Sequence, residues 1–334
     1  MNNTNDADHF LDLDGVRGVL ANVVILYHYG LNTLISKLTS GYITHSPWGG
    51  CVDFFFILSG FVLCHSSLKR PKPIAEFFIA RIFRLLPLHV AILLLFTPLY
   101  FSIIPIGYIG VIQNFIGISI FTSEKIWNLA SWSMHLELYI PIVFFLYNRF
   151  HASSVRYVIG FSVSLAIQLW TTYQMAAGID YPVLRGFGGL SLGYFLYMMK
   201  NNFEIIAKFT PKISVFALLI VYMCVMLFSG IFVWMSLLLP LICIAVIIVG
   251  VSTRGLLSRG GFRLMGNLSY PVYMIHSPAL VFALSIYPSI DGSASLKITL
   301  IILVWIASYV AMHVIERPGM ALGKMLQARY RLHR

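Results

Sequence analysis

The sequence predicts an all-α integral membrane protein, a bundle of about ten transmembrane helices with both termini in the cytoplasm. The first observation behind this prediction is composition. Of the 334 residues, 59% are hydrophobic and 10% are charged, whereas about a quarter of the residues in soluble domains are charged. The second is a series of apolar runs long enough to cross about 30 Å of hydrocarbon. These runs lie near 15–35, 49–66, 77–101, 128–148, 157–175, 184–199, 213–229, 232–251, 269–287 and 297–315.

The distribution of basic residues predicts the orientation, because cytoplasmic loops carry an excess of Lys and Arg. With ten spans and a cytoplasmic N-terminus, 19 of the 23 basic residues fall at cytoplasmic ends or loops. The apolar stretch 105–127 is interrupted by glycines, Gln113 and Asn114, and we expect it to be re-entrant or extracytoplasmic. The net charge of +11 is therefore mainly a topology signal. Nucleic-acid binding is disfavoured, since the cations are dispersed over several loops.

Three segments are expected along the chain: a polar cytoplasmic N-terminus (1–14), a transmembrane domain (15–318) and a basic cytoplasmic tail (319–334). The N-terminus is acidic and lacks the basic start and small-residue cleavage site of a signal peptide. The four cysteines fall in or at the ends of predicted spans and show no metal-ligand spacing. Neither a metal site nor a disulfide framework is predicted.

Arg17 and His28 are the most informative pair in the first span. Eleven residues separate them, and eleven residues of α-helix turn through about 1100° and rise about 16 Å. Both side chains therefore lie on one helical face, Arg17 at the inner edge of the membrane and His28 in its outer half. Ionisable groups in hydrocarbon are costly, so they indicate function and require a partner.

Two carboxylates are candidate partners for His28. Asp53 lies in the first turns of the second span, in the outer half, and Glu137 lies about nine residues into the fourth span, near the midplane. Other polar residues in these two spans are Ser59, Trp132, Ser133 and His135. We expect the carboxylates and histidines to converge. The alternative is that Asp53 and Glu137 pair only with helix termini or Arg185, and that His135 is a satisfied interior histidine.

Arg81 and Arg84 predict a phosphate site on the cytoplasmic side. They are three residues apart on one helical face at the inner end of the third span, at the level where Arg17 enters the membrane. Guanidinium groups bind phosphate through two parallel hydrogen bonds. The alternative is that these arginines are positive-inside anchors that contact lipid headgroups. Their place within an apolar pattern favours an inward-facing role.

Six motifs in order resemble the acyltransferase 3 family over nearly the whole chain, from about residue 12 to 318. They are the spacing of Arg17 and His28, VDFFFILSGFVL, RIFR, SWSMHLEL, GNLSYPVYMIHSP at 266–278 and ERP at 316–318. Cys51 stands where members often carry glycine, a difference that affects only local packing. The C-terminal hydrolase-like domain of some members is not seen, so any such partner activity is expected on another polypeptide.

The resemblance implies a membrane-embedded enzyme that O-acylates carbohydrates from an acyl-coenzyme A, usually acetyl-coenzyme A, which is a donor substrate and not a permanently bound cofactor. Arg17, Arg81 and Arg84 would hold the coenzyme A phosphates. His28 would act as general base or carry the acyl group itself, and both options stay open. Glu137 or Asp53 would orient its tautomer. Supporting roles are expected for Ser59, Trp132, Ser133, His135 and His276.

His276 lies seven residues after Ser269, about 10 Å into the ninth span. It either lines the donor path or is a structural histidine, and the nearby Tyr270 and Tyr273 suit interfacial anchors equally well.

The expected acceptor is a hydroxyl of a cell-envelope or exported glycan or glycolipid, at the outer side of a bacterial plasma membrane. Membrane lipid is the other partner. The alternative is a transporter or a flippase of a lipid-linked glycan, which would also place ionisable residues at the midplane. Transporters often show internal repeats and paired broken helices, and the sequence shows neither. Consumption of acetyl-coenzyme A distinguishes the two hypotheses, because an acyltransferase requires it and a transporter or flippase does not.

Overall fold

The computed structural model describes residues 10–43, 46–69, 73–122, 124–147, 154–199 and 214–332. Every regular element in these ranges is helical. The α-helices are α1 (Leu11–His28), α2 (Leu31–Leu38), α3 (Gly50–Lys69), α4 (Ile74–Ile103), α5 (Tyr108–Ile116), α6 (Ser131–Tyr139), α7 (Pro141–Tyr147), α8 (Ser154–Ala176), α9 (Pro182–Met198), α10 (Val215–Phe228), α11 (Leu238–Ser252), α12 (Gly260–Ile286), α13 (Ala294–Ala311) and α14 (Arg317–Leu332). A π-helical turn, Met312–Glu316, joins α13 to α14.

Helices occupy each of the ten predicted apolar runs, with α6 and α7 sharing the fourth. By length and composition, five segments of the described chain are able to cross a membrane, and the bent pair of α1 and α2 would make a sixth. The five are Gly50–Lys69, Ile74–Ile103, Val233–Val251, Gly260–Ile286 and Ala294–Leu332. The prediction of a helical membrane protein is confirmed, while the count of ten spans stays a prediction.

Part of the sequence-based topology falls outside the described residues. This holds for residues 1–9 of the polar N-terminus. It also holds for seven of the basic residues assigned to the cytoplasm: Arg70, Lys72, Arg149, Lys200, Lys208, Lys212 and Arg334.

The first span is shorter than the run 15–35 predicts. Helix α1 ends at His28, and the chain then bends by 77° into α2. Gly30 lies at the bend with a φ of 105°, a left-handed conformation that glycine adopts without steric cost. No residue of α2 is fully buried, and this short helix contacts the core only at its edge, through the partly buried Leu31 and Ile35.

The stretch 105–127 folds back on itself. Its only α-helix among the described residues, α5, has 9 residues and rises about 14 Å, too little to cross a membrane. The buried Asn114 side chain donates to the carbonyl oxygens of Gly110 and Lys125 and accepts from the Trp127 backbone N–H. These bonds close the loop, while a re-entrant or extracytoplasmic location of the segment stays a prediction.

Helices α1 and α12 run parallel and in close contact. A Cβ at Gly18 would overlap the backbone nitrogen of Gly266, so the two glycines let the backbones approach, as small residues do between membrane helices. Ten residues further along each helix, His28 meets His276. Glycine packing at one point thus determines which histidine lies beside His28.

Helix α4 runs in the same direction as α12. Near its start, the Leu85 carbonyl oxygen accepts a hydrogen bond of 2.5 Å from the Tyr270 hydroxyl. Near its end, the rings of Phe96 and Phe282 lie 5.9 Å apart. Helices α1, α4 and α12 therefore share one direction.

Helices α3 and α9 run parallel to each other and opposite to α1. Asp53 and Arg185 pair near the starts of the two helices, and Phe61 packs on Tyr197 further along, with ring centroids 5.1 Å apart. Phe10, just before α1, contacts Phe61 at 5.8 Å, so the start of α1 lies beside the second half of α3. The bundle has two ends, named here the basic end, where α1 and α4 begin, and the far end, where α1 finishes.

Candidate functional site

A cavity of about 510 Å³ lies toward the basic end, between α1, α3, α4, α6 and α12. Its volume is within the usual range of small-molecule pockets, about 300–1,000 Å³. The polar and charged residues that line it are Asp14, Arg17, Ser59, His65, Ser66, Lys69, Arg81, Arg84, Ser133, Glu137, Ser269, Tyr270 and Tyr273. The structure thus brings the three predicted phosphate-binding arginines together around one cavity.

The three arginines keep hydrogen-bond donors that the described chain does not use. Arg17 reaches only the Asp14 carboxylate, at 3.5 Å. Arg81 donates from Nη2 to the Glu137 backbone carbonyl, and its buried Nε has no partner. Arg84 is exposed and makes no hydrogen bond within the described residues. A guanidinium group offers five N–H donors, so the cavity presents an array of donors suited to an anion.

The carboxylate Glu137 belongs to this cavity and not to the neighbourhood of His28. Ser133 and Glu137 are four residues apart on the short helix α6, so both lie on one face and both line the cavity. The Ser59 hydroxyl of α3 donates to Glu137 Oε1 at 3.0 Å. Because this bond uses the single hydrogen of the hydroxyl, Ser59 Oγ presents lone pairs to the cavity, and the Glu137 carboxylate is the group of the pair able to take a proton.

Helix α6 is fixed to α12 by two hydrogen bonds near the cavity. Pro278 has no N–H, so the Met274 carbonyl four residues earlier lacks its helical donor. The Asn128 side chain donates to that carbonyl at 3.0 Å. One turn into α6, the Ser133 hydroxyl donates to the Tyr273 hydroxyl at 3.0 Å. Together these bonds set the position of the cavity wall.

His28 lies outside the cavity lining and contacts His276 on α12. His28 Nδ1 lies 2.9 Å from the Val24 carbonyl oxygen and 3.3 Å from His276 Nε2. His276 is fully buried, whereas His28, on the last turn of α1, is exposed. Among the described residues, the hydrogen-bonding neighbours of His28 are therefore a carbonyl and a second histidine.

Asp53 is held in a buried ion pair with Arg185. Its Oδ1 accepts from Nε at 3.0 Å and from Nη2 at 2.8 Å, and both side chains are at most 4% exposed. Arg185 also donates to Asp180 and to the Gly49 carbonyl. Trp132 lies over the guanidinium group at 5.5 Å. This is the ion-pair alternative that the sequence left open, and Trp132 belongs to it.

The described residues show other partners for the two carboxylates that were expected at His28: Asp53 pairs with Arg185 and Glu137 with Ser59. Six residues of α3 separate Asp53 from Ser59, which places them about 9 Å apart along the helix and on different faces. Ser59 faces the cavity and meets Glu137, while Asp53 faces α9. The sequence predicts the position of a residue along its helix but not which helix lies beside it, so neither pairing could be predicted from depth.

His135 is an interior histidine remote from the cavity lining. It is fully buried and packs edge-on against His89, with ring centroids 5.5 Å apart. Neither ring nitrogen of His135 has a hydrogen-bond partner in the described chain. The sequence left open that His135 is an interior histidine with hydrogen-bond partners. The structure shows that it is interior, but its ring nitrogens have no partner among the described residues.

Tyr273 is the residue whose position the sequence did not reveal. It is 8% exposed, lines the cavity and packs on His276 with ring centroids 5.6 Å apart. It therefore lies between the cavity and the histidine pair and is not an interfacial anchor. The spacing of three residues between Tyr273 and His276, which places both on one helical face, was the available signal.

Fold and site together define a helical membrane protein with an interior cationic cavity whose wall carries hydroxyl and carboxylate groups. A family model described as an acyltransferase domain, that of acyltransferase 3, matches residues 10–315, nearly the whole chain. The protein belongs to the acyltransferase 3 family, as the motifs predicted. Comparisons with curated proteins and with solved structures find no match.

Proposed function

We propose that the protein transfers an acyl group, in the first instance acetyl, from cytoplasmic acyl-coenzyme A to a hydroxyl of a cell-envelope or exported glycan, in a bacterial plasma membrane. Family membership supports acyl transfer. Acyl-coenzyme A is proposed as the acyl donor because Arg17, Arg81 and Arg84 line one cavity. Coenzyme A carries several phosphate groups, and arginine binds phosphate through paired hydrogen bonds.

The helix directions support ten spans with cytoplasmic termini. In that topology α1, α4 and α12 are the first, third and ninth spans and run outward, while α3 and α9 are the second and sixth and run inward. The observed parallel and antiparallel contacts agree with this alternation. The basic end then faces the cytoplasm, where the positive-inside rule places it, and where coenzyme A is available.

In the direct route, the acceptor oxygen attacks the thioester carbonyl carbon, the carbon–sulfur bond breaks, and the proton of the hydroxyl passes through His28 to the leaving coenzyme A thiolate. In the two-step route, His28 Nε2 attacks the thioester carbon and releases the thiolate, and the acceptor oxygen then attacks the acyl-histidine, which frees the ring while the hydroxyl proton goes to the thiolate. Ser59 and Ser133 line the cavity, and either hydroxyl would stabilise the developing oxyanion by turning its hydrogen from its present acceptor, Glu137 or Tyr273, to the thioester oxygen. His28 either takes the proton or carries the acyl group. Because Tyr273 lies between the cavity and the histidines, the acyl group must pass this ring on the route to His28.

Binding of coenzyme A to the purified protein tests the donor site. A hydrogen bond to a charged group contributes about 1.5–3 kcal/mol, so Arg81→Ala and Arg84→Ala should each weaken binding roughly 10- to 100-fold. Arg329→Ala is the matched control, because Arg329 is an exposed arginine on α14 outside the cavity lining. Unchanged affinity in both cavity variants would overturn the donor assignment.

Turnover in proteoliposomes tests the reaction itself. Acetyl-coenzyme A consumption matched by O-acetyl gain on an added glycan is the expected result, and His28→Ala should abolish it. Glycan movement without consumption would favour the transporter alternative. Comparing the O-acetyl content of envelope glycans from a deletion strain and its parent identifies the acceptor.

A further inference from the structure

The contact between His28 and His276 joins two ring nitrogens from two different helices. We propose that His276 is a positioning residue for His28: it fixes the ring so that Nδ1 carries the proton and Nε2 keeps the lone pair that acts on substrate. This inference rests on the proposed function of His28 as base or acyl carrier. It replaces the carboxylate partner that the sequence predicted.

The hydrogen bonds of His276 determine its own tautomer. Its Nδ1 lies 2.6 Å from the Tyr273 carbonyl oxygen. A carbonyl oxygen only accepts, so Nδ1 carries the hydrogen, and in a neutral imidazole the other nitrogen then has the lone pair. His276 is fully buried, and a buried charge without a counter-ion is costly. The neutral ring therefore presents an acceptor, Nε2, to His28.

The same reasoning determines the tautomer of His28. Its Nδ1 faces two acceptors, the Val24 carbonyl oxygen at 2.9 Å and His276 Nε2 at 3.3 Å. Nδ1 must therefore be the donor, and Nε2 is left unprotonated. The bond to Val24 comes from the same helix, one turn earlier. The bond to His276 comes from α12 and ties the ring to the core.

His276 supplies what a carboxylate supplies in other histidine sites. When His28 takes a proton, its Nδ1–H needs an acceptor that holds the imidazolium in place, the role of the aspartate in a Ser-His-Asp triad. At metal sites, hydrogen-bond partners of this kind fix the tautomer and ring orientation of the ligating histidine, and their loss typically costs about 10- to 100-fold in metal affinity or activity; we expect a loss of the same order here. A neutral histidine meets this need without placing a charge in the buried interior.

The difference in exposure assigns the two roles. His28 is exposed and His276 is fully buried, so only His28 is open to a substrate. His276 is held in turn by the Tyr29 hydroxyl, which donates to its carbonyl oxygen at 3.1 Å. The crossing at Gly18 and Gly266, ten residues before the histidines on both helices, keeps the pair in register.

Two substitutions at this position separate positioning from packing. His276→Phe keeps a ring of similar size and removes the acceptor, whereas His276→Gln places an amide oxygen near the position of Nε2. In proteoliposomes, His276→Phe should lower kcat about 10- to 100-fold with an unchanged KM for acetyl-coenzyme A, because His276 does not line the cavity. His276→Gln should recover most of the loss. Full kcat in His276→Phe, with coenzyme A binding intact, would overturn the proposal.

A spectroscopic measurement decides the tautomer without reference to turnover. Solid-state nitrogen NMR of histidine-labelled protein in lipid identifies the His28 signals as those lost in His28→Gln. We expect the Nδ1-protonated form in the wild-type protein. In His276→Phe the Val24 carbonyl is the one remaining acceptor of the two, and we expect a larger share of the Nε2-protonated form. An Nε2-protonated His28 in the wild type, or an unaltered signal in His276→Phe, would overturn the proposal. If no acceptor is acylated, the proposed function fails while this measurement still decides the tautomer.

Discussion

Two regions of the described chain that bring arginine and a carboxylate together, the Asp53 and Arg185 pair and the cavity, are built in opposite ways. At the far end, Arg185 donates hydrogen bonds to Asp53, Asp180 and the Gly49 carbonyl, and its side chain is 2% exposed. In the cavity, Arg84 has no hydrogen bond among the described residues and Arg81 has an unpartnered Nε. Arginine whose donors are used by the chain is structural. Arginine whose donors face a cavity is available to a ligand.

The carboxylates show the same contrast. Asp53 accepts two hydrogen bonds from one guanidinium group in the buried interior. Glu137 accepts from a hydroxyl, that of Ser59, on a cavity wall. Both are ionisable residues within apolar helices, and such residues are functional candidates by default. Burial and pairing, which only the structure shows, distinguish the structural ion pair of Asp53 from the cavity residue Glu137.

The largest expected effect comes from breaking the structural pair. Removal of one partner of a buried ion pair leaves an uncompensated charge and costs about 3–5 kcal/mol, so Asp53→Ala and Arg185→Ala should lower the thermal unfolding midpoint in detergent strongly. The double substitution Asp53→Asn with Arg185→Gln leaves no buried charge unpaired, since the remaining partner Asp180 is 51% exposed, and should be less destabilised than either single variant. If Asp53→Asn unfolds like the wild type and yet loses turnover, Asp53 acts in catalysis and the contrast fails.

A smaller and different effect is expected from Glu137→Gln. The amide keeps the shape and one acceptor for Ser59 but removes the charge and the ability to take a proton. Groups in general acid–base roles contribute about 10²- to 10⁴-fold, and we expect turnover to fall about 10²-fold with the unfolding midpoint unchanged. Glu124→Gln is the control, since Glu124 lies in the 105–127 stretch outside the cavity lining. A lower thermal unfolding midpoint with normal turnover in Glu137→Gln would mean that Glu137 has a structural role, like Asp53.

Sequence periodicity and length were enough to predict the helices, because apolar composition determines which segments leave water. They were not enough to locate breaks. The run 15–35 gives no sign that Gly30 adopts a left-handed φ, and the fourth run is divided just before Pro141. The backbone conformation of a single residue determines such a bend. Mean hydropathy over a window of about twenty residues contains no information about it.

The site was predictable where one helix supplies it and not where two helices meet. Arg81 and Arg84 share a face of α4 through their spacing, so their pairing followed from the sequence, whereas the contact of Arg17 on α1 with the same cavity is shown by the structure. The partner of His28 did not, because depth leaves the lateral neighbour undetermined. The close approach at Gly18 and Gly266 selects α12, and the equal spacing to His28 and His276 on parallel helices then brings the two rings together.

The smallest expected effect is the screening of charge interactions by salt, which should weaken coenzyme A binding in the cavity more than the buried ion pair of Asp53 and Arg185. Raising the ionic strength from about 0.1 M to 1 M shortens the Debye length from about 10 Å to about 3 Å, so coenzyme A binding to the partly exposed arginines should weaken several-fold. The Asp53 and Arg185 pair is screened much less, because both side chains are at most 4% exposed. The Arg84→Ala variant should show a flatter salt dependence than the wild type, since one cation fewer contributes. Equal salt dependence in wild type and variant would mean that Arg84 does not contact the phosphates, whatever its effect on affinity.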